Sequence, residues 1–170
     1  MREGTREVDG KLRRMTAVYL LRGDRILLLL RQGGRVADGL WTGSAGGHFE
    51  AEDQNDARAC VLRELWEEMG LGEEALEALS LRYLTMRRTA DEIRQTYYFF
   101  AHLKEEAGEE FSSEEGNLQW FPLDGISGLK MPLTARYVLE HYFAVGRDSE
   151  LLYAGITQED GVKFLPLPEV

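Results

Sequence analysis

Two apolar runs near the start of the chain give its first clear pattern. Met15–Leu21 (MTAVYLL) and Arg25–Arg31 (RILLLLR) flank the short polar segment Arg22-Gly23-Asp24. Apolar runs joined by so short a glycine-containing segment predict a β-hairpin with a tight turn. The second run is apolar at every position from Ile26 to Leu30, so we expect a strand that is buried on both faces in the centre of a sheet.

A helix is predicted over Ala57–Met69, because this stretch contains neither proline nor glycine. Gly70 follows directly, and a glycine just past the last turn can take the left-handed conformation that closes a helix. Asp53 or Asn55 is expected to cap the first turn with its side-chain oxygen.

The rest of the chain is read in the same way. A short helical turn is expected at Glu73–Leu79, and an exposed acidic loop at Lys104–Glu115. Strands are predicted over Leu81–Arg88, Ile93–Leu103 and Leu118–Phe121, a second helix over Pro132–Phe143, and a terminal hairpin from Leu151–Thr157 and Val162–Leu165. Because strands outnumber helices and the helices come at intervals, the predicted fold class is α/β, a mixed sheet with helices on both faces.

Length and composition predict a single soluble domain over residues 1–170, with 44% hydrophobic and 29% charged residues. Residues 1–12 are expected to form a flexible tail or an early edge strand, and residues 146–170 a C-terminal extension. A lone cysteine, Cys60, leaves no internal disulfide, and no apolar run is long enough for a signal peptide or a membrane span. The expected location is therefore the cytoplasm. The net charge of −10 argues against binding a nucleic acid polymer.

Three glutamates on the predicted helix are the strongest candidates for chemistry. Glu64 lies three residues before Glu67 and four before Glu68, so the three carboxylates project from one helix face. A solvated acidic face is the simpler interpretation. A divalent cation would relieve the mutual repulsion, and oxygen-rich clusters of this kind suit Mg²⁺ or Mn²⁺ with a phosphate substrate.

The segment that carries these glutamates resembles the Nudix box of the MutT-like hydrolases. That box reads Gly, five residues, Glu, seven residues, then Arg-Glu-U-x-Glu-Glu-x-Gly-U, where U is aliphatic. Residues 63–71 (RELWEEMGL) agree with all seven specified positions of the second half. Counting forward from Gly47 puts the first Glu at Asp53, and counting back from Arg63 puts it at Asn55. The loop is two residues longer than the pattern, and Glu50, Glu52 and Asp53 are the alternatives for the first acid.

The resemblance implies a fold and a set of roles. The Nudix fold is an α/β/α sandwich with a mixed sheet, whose box forms a loop-helix-loop, and it would cover roughly residues 15–143. By similarity, Glu64 and Glu68 would bind the principal metal, and Glu67 a second metal or the attacking water. Arg63 would hold Glu67 in position, and a carbonyl of the glycine pair, with Gly47 preferred, would be a further ligand.

Other site residues are assigned by their place in the chain. The general base is expected at Glu115, with Glu114 as the alternative, because this acidic pair precedes the Trp120-Phe121 segment as a glutamate-bearing loop does in the family. Arg31 and Arg35 are expected to reach the substrate phosphates. Tyr98 is the candidate stacking surface on an aromatic strand, although core packing is the commoner role of such residues. Cys60 is expected to lie in the core.

The expected function is Mg²⁺-dependent hydrolysis of a diphosphate linkage in a nucleoside diphosphate derivative. A nucleoside triphosphate pyrophosphohydrolase that removes oxidised nucleotides is preferred. ADP-ribose, dinucleoside polyphosphates and sugar nucleotides are alternative substrates. The alternatives from other classes are a Nudix-like nucleotide sensor without turnover and an unrelated acidic adaptor domain. The terminal hairpin is hypothesised to cover the site or to pair with a second subunit in a homodimer.

Overall fold

Eight strands form one mixed sheet within residues 10–34 and 37–170, the part of the chain that the computed structural model describes. The strands are β1 (Leu12–Arg22), β2 (Arg25–Arg31), β3 (Trp41–Thr42), β4 (Leu76–Arg88), β5 (Ile93–Leu103), β6 (Gly116–Pro122), β7 (Leu152–Gln158) and β8 (Gly161–Leu167). The two α-helices are α1 (Ala57–Met69) and α2 (Leu133–Ala144). The order across the sheet is β3-β2-β1-β5-β4-β7-β8, and β6 pairs with β2.

The first hairpin and its buried second strand are confirmed. β1 and β2 pair antiparallel, with Arg22 opposite Arg25 and Gly23 at a φ of 58° in the turn. The side chains from Ile26 to Leu29 are at most 2% exposed. β1 starts three residues earlier than predicted because it continues to pair in parallel with β5, as far as Leu12 opposite Ile93. Of the predicted flexible segment, residues 1–9 lie outside the described residues.

Each face of the sheet is covered by one helix, which confirms the predicted α/β/α sandwich. On one face Val61 and Leu65 of α1 pack against Val18, Leu20 and Phe99 of the sheet. On the other face α2 packs against a second cluster that includes Tyr19, Tyr98 and Phe100. Burying a side chain such as Leu65, which is 0% exposed, contributes about 2 kcal/mol of stability, and this burial fixes which side of α1 faces the sheet.

Helix α1 has the predicted bounds, but the prediction of its cap was wrong. Gly70 closes the helix with a φ of 66°, as expected. The carboxylate of Asp56, rather than Asp53 or Asn55, accepts the backbone N–H groups of the first turn. The reason is the path of the chain, which makes a 3₁₀ turn at Ala51–Asp53 and then reverses through two left-handed residues, Gln54 and Asn55. This reversal leaves Asp56 next to the helix.

Later elements agree with their predictions apart from their bounds. The helical turn expected at Glu73–Leu79 is a single 3₁₀ turn at Glu73–Ala75, because β4 already begins at Leu76. Pro132 stands at the cap position immediately before α2 rather than in its first turn.

The terminal hairpin is confirmed as β7 and β8, and its position in the sheet does not cover α1. β7 pairs in parallel with β4, so β5 and β4 separate the hairpin from β1. It packs on α2 through a hydroxyl contact of 3.1 Å between Thr134 and Thr157. Pairing with a second subunit stays a prediction. None of the helices described is long and apolar enough to cross a membrane.

Candidate active site

The three glutamates of α1 point in two directions. The Glu64 side chain is 12% exposed and packs against Gly47, where a Cβ atom would come within 2.5 Å of the Glu64 carboxyl carbon. Glu68 also turns inward, toward Gly46. Glu67 is 52% exposed and faces outward. Val61 and Leu65 of α1 are buried against the sheet. Glu64 and Glu68, which lie beside them on the helix, are thereby directed toward the glycine pair.

Glu68 lies among other carboxylates. Burial, followed by the negative charges of Glu64 and Glu115, raises the pKa of Glu68 to about 8, while a hydrogen bond from the backbone N–H of Gly46 acts in the opposite direction. A carboxyl group is protonated at neutral pH only where its charged form is strongly disfavoured. The loop before β6 therefore brings the charge of Glu115 close to Glu68, although the two residues are about 50 positions apart in sequence.

Arg63 connects the loop to the helix. Its guanidinium donates to both carboxylate oxygens of Asp53, from Nε to Oδ1 and from Nη2 to Oδ2, each at 2.9 Å. It also donates to Glu64 Oε1 at 2.9 Å, Glu67 Oε2 at 3.0 Å and the backbone carbonyl of His48 at 3.0 Å. The predicted contact with Glu67 is present, and the strongest geometry is the paired contact with Asp53, because a bidentate pair fixes both partners.

Among the three loop acids, Asp53 is the one that is buried and makes close contacts with Arg63. It is 3% exposed, and its Oδ2 atom also accepts the backbone N–H of Glu50 at 2.8 Å. Its hydrogen bonds with Arg63 lower its pKa to about 2. Glu50 and Glu52 are exposed and approach Arg63 only at 3.8 and 3.9 Å. The two additional residues thus lie between Asp53 and α1, which agrees with the count forward from Gly47.

The glycine pair brings the backbone close to both β1 and α1. Gly46 has a φ of 148°, and a Cβ atom there would come within 2.8 Å of the Cα atom of Ala17. The Gly47 carbonyl accepts the backbone N–H of Thr16 at 2.8 Å. Only glycine fits at position 46, because the clash there is with backbone atoms. At position 47 a side chain would displace the carboxylate of Glu64. The role of the Gly47 carbonyl as a metal ligand stays a prediction.

The other candidate residues are distributed unevenly. Arg31 forms an ion pair of 3.0 Å with Glu115, so it adjoins the carboxylates. Arg35 lies outside the described residues. Tyr98 is 6% exposed and belongs to the core on the α2 side of the sheet. Cys60 is 0% exposed, as expected of a core residue, and burial raises the pKa of its thiol to about 11.

Two features of the site were not found from the sequence. Asn55 accepts a hydrogen bond from Arg14 of β1, and Arg14 lies over the ring of Phe49 with 4.8 Å between the guanidinium carbon and the ring centroid. No local pattern connects these residues, because they are about 40 positions apart in sequence and meet only through the folded loop.

A family model described as the NUDIX domain matches residues 11–142, which is most of the chain. The chain belongs to the Nudix family. This match also confirms the expectation of a Nudix hydrolase at the level of the family. No curated protein matches the chain in a sequence search.

Solved structures of Nudix proteins share the fold. The MutT protein from Bacillus halodurans is 22% identical, with a TM-score of 0.66 over 93% of this chain and 99% of that one. A MutT NUDIX hydrolase from Burkholderia pseudomallei is 25% identical, with a TM-score of 0.62 over 76% of this chain and 97% of that one. A NUDIX hydrolase from Alicyclobacillus acidocaldarius is 14% identical with a TM-score of 0.66, over 82% and 94% of the two chains. At these identities the likeness concerns the fold.

Nudix proteins use a divalent cation, and the donor atoms near the glycine pair suit one. Within the described ranges no three His, Cys, Asp or Glu side chains are already arranged around a common point that would hold an ion. The inward carboxylates of Glu64 and Glu68, with Glu115 nearby, nevertheless supply only oxygen donors, and burial together with the neighbouring negative charges raises the pKa of Glu68. This is the donor set and the charge that hard cations such as Mg²⁺ require.

Proposed function

We propose that this Nudix protein uses Mg²⁺, or Mn²⁺ in its place, to hydrolyse a diphosphate linkage in a nucleoside diphosphate derivative. The observation that carries the proposal is the pair of inward carboxylates, Glu64 and Glu68, beside the glycine pair, with the charge of Glu115 close enough to help raise the pKa of Glu68. Holding such carboxylates together is costly unless a cation neutralises them, and a hard cation in turn attracts phosphate oxygens. A solvated acidic face, the simpler interpretation, does not explain why two of the three helix glutamates turn inward.

Each side chain has a role that fits its contacts. Glu64 and Glu68 would hold the cation. Arg63 positions Glu64 and Glu67 through hydrogen bonds, and its own guanidinium is held in place by Asp53. A bound cation of this kind stabilises charge on phosphoryl oxygens and acidifies a bound water molecule. Glu67 is outward-facing, so its contribution requires a second cation or an ordered water on the solvent side of α1.

Glu115 is our candidate for the general base. Its Oε2 atom accepts a hydrogen bond from Arg31, which orients the carboxylate, and Oε1 has no hydrogen bond to any residue that the structure describes, so it is the oxygen that would accept a proton from water. In this proposal the water attacks phosphorus in line with the leaving oxygen, and no covalent intermediate forms. Arg31 then has two roles in this proposal: it orients Glu115, and its guanidinium would contact the substrate phosphates.

The preferred substrate is a nucleoside triphosphate, cleaved to a monophosphate and pyrophosphate, including oxidised forms of the nucleotide. A cavity of about 630 Å³ lies at the turn of the terminal hairpin, lined by Arg87, Leu133, Thr157 and Gln158 among others. It is beside the first turn of α2, and the strands β5 and β4 separate the hairpin from β1, so we do not place the nucleoside there.

A substrate panel with ³¹P NMR detection tests the proposal. The panel contains nucleoside triphosphates and their 8-oxo forms, ADP-ribose, a dinucleoside polyphosphate and a sugar nucleotide, each with Mg²⁺ or with EDTA. We expect Mg²⁺-dependent release of pyrophosphate from a triphosphate, and incorporation of ¹⁸O from labelled water into one product. No turnover of any member would contradict the enzyme assignment. Binding without turnover would favour the nucleotide sensor instead.

A further inference from the structure

A second, smaller concavity lies where β1 leaves the box loop. It has a volume of about 220 Å³, and its lining includes Lys11, Arg13, Arg14, His48 and Phe49. We call it the β1-edge pocket. Three cationic side chains line it against one carboxylate, that of Glu92, in a protein whose net charge is −10. The local charge is therefore opposite to that of the whole chain.

The single carboxylate of the pocket is already neutralised by two arginines. Glu92 accepts hydrogen bonds from Arg13 Nε at 3.0 Å and from Arg94 Nε at 2.9 Å, and its side chain is 7% exposed. Lys11, by contrast, is exposed and has no ion pair or side-chain hydrogen bond to any residue that the structure describes. Positive charge thus remains for a ligand after the internal pairs have been formed.

Arg14 is held in place by the part of the box that departs from the family pattern. Its Nη1 atom donates to Asn55 Oδ1, and its guanidinium lies 4.8 Å from the centroid of the Phe49 ring. The Phe49 ring in turn packs against Tyr97, with 5.4 Å between the centroids. Asn55 belongs to the segment with the two additional residues, and its φ of 67° is one that asparagine tolerates. The longer loop therefore orients the guanidinium of Arg14 before any ligand binds, which lowers the entropic cost of binding.

The β1-edge pocket adjoins the carboxylate site. Glu64 packs against Gly47, and His48 is the next residue, so the Cα atoms of Gly47 and His48 are about 3.8 Å apart. The backbone N–H of Phe49 donates to the carbonyl of Arg14 at 3.1 Å, which ties the loop to β1 at the pocket. The pocket and the carboxylate site are therefore built from consecutive residues of the same loop, Gly47 and His48.

We propose that the β1-edge pocket is a phosphate-binding subsite, in which Lys11 and Arg14 hold a non-reacting phosphate group of the nucleotide substrate. The assignment rests on the proposed function for the identity of the substrate. Guanidinium and ammonium groups are the side chains that bind phosphate oxygens best, and the pocket volume is too small for a nucleoside. Asn55 is a positioning residue, which acts through Arg14.

Two charge-removing variants test the subsite, with Lys163→Gln on the exposed strand β8 as a matched control. Lys11→Gln and Arg14→Gln are each expected to raise KM for the preferred triphosphate about tenfold with little change in kcat, because each removes one charged contact to a bound phosphate. The control is expected to leave both constants unchanged. Thermal melting of all variants shows whether the fold is intact. If neither KM nor kcat/KM changes in the two pocket variants, the subsite is wrong.

Calorimetric titration with inorganic tripolyphosphate, on protein freed of metal with EDTA, separates the subsite from the enzyme assignment. We expect the wild-type chain to bind it, and Lys11→Gln and Arg14→Gln to weaken the binding about tenfold. This measurement needs no turnover, so a failure of the substrate panel and a failure of the subsite give different results. Equal binding by the wild type and both variants would overturn the subsite even for an active enzyme.

Inhibition kinetics distinguish the two possible sources of the phosphate group. If the pocket holds the substrate's own phosphate, added pyrophosphate inhibits competitively, and the two variants weaken that inhibition. Mixed inhibition that the same variants weaken would assign the pocket to a free oxyanion and overturn the assignment to substrate. Asn55→Gly, which keeps the left-handed backbone but removes the amide, is expected to raise KM about threefold, a smaller effect than loss of Arg14 itself.

Discussion

The two halves of the Nudix box in this chain are built on different physical principles. The helical half, Arg63–Leu71, has the family sequence, and packing of one apolar stripe against the sheet sets the direction of its carboxylates. The loop half, Gly47–Asp56, has two additional residues and no periodic pattern, and a small set of specific contacts holds it. Function in the first half follows from helical geometry. In the second half the function depends on which side chains are brought into contact when the loop folds.

This difference shows how a loop can change while the helix stays constant. Asp53 reaches Arg63 from ten positions away because Gln54 and Asn55 turn the chain back before α1 begins. The ion pair between Asp53 and Arg63 therefore anchors the loop to the helix, and it does not depend on how many residues lie between Asp53 and the cap of α1. The extra residues are free to make a new contact, which here is the hydrogen bond from Arg14 to Asn55.

Replacement of Glu68 by glutamine is the largest test of the helical half. Under the proposed function we expect kcat/KM to fall at least about a thousandfold, because the variant would lose an anionic ligand of a cation that would supply several kcal/mol of transition-state stabilisation. Steady-state kinetics on the preferred substrate measure the effect. Glu140→Gln, on the outer face of α2, is the matched control and should retain full activity. Retention of wild-type activity by Glu68→Gln would show that this carboxylate is not a metal ligand.

Replacement of Asp53 by asparagine is the corresponding test of the loop half. We expect the free energy of unfolding to fall by about 3 kcal/mol, because the buried guanidinium of Arg63 loses its bidentate, most buried charged partner. Urea denaturation at pH 7 measures this loss. Since the pKa of Asp53 is lowered to about 2, its contribution is present above pH 4 and disappears as the pH falls from 4 toward 2.

Glu52→Gln provides the comparison for Asp53. Its carboxylate is 66% exposed and no closer than 3.9 Å to Arg63, so we expect no measurable change in the free energy of unfolding. Equal losses in the two variants would mean that the loop acids share the role. In that case Asp53 would not be the main partner of Arg63 in the loop.

The difference between the halves also explains what the sequence can predict. The bounds of α1, the closing Gly70, the buried strand β2 and the terminal hairpin follow from periodicity and turn residues, and all four are confirmed. The cap at Asp56 was missed because Asp53, Asn55 and Asp56 are equally good capping residues in isolation. Only the left-handed backbone at Gln54 and Asn55 decides among them, and the sequence gives no local signal for that reversal.

Removal of the metal should make stability depend on pH through Glu68. The pKa of this carboxyl is about 8 in the folded protein and about 4.5 in the unfolded chain, so the native state must either keep its proton or bear the cost of the charge. Stability is therefore expected to decline as the pH rises from 4.5 to 8, by about 2 kcal/mol for a partly exposed group. Melting temperatures in EDTA between pH 5 and 8.5 measure this decline.

The control for the pH effect is Glu68→Gln, which lacks the titrating group. Its melting temperature should depend less on pH than that of the wild type over the same range, and the difference isolates Glu68 from other groups such as His141. Added Mg²⁺ should also flatten the wild-type curve. A wild-type profile in EDTA that is parallel to that of the variant would show that Glu68 ionises normally in the folded protein.

The smallest expected effect concerns the junction between the halves, at Asp56. Replacement by alanine removes the acceptor for the N–H groups of Arg58 and Ala59, and we expect a loss of about 1 kcal/mol in the free energy of unfolding. Asp56→Ser keeps a capping oxygen and should recover most of this loss. Because Asp53 holds Arg63 independently of the cap, kcat should stay within about twofold of the wild type in both variants. A large loss of kcat in Asp56→Ala that Asp56→Ser restores would show that the cap, and not only the pair of Asp53 with Arg63, positions the carboxylates of α1.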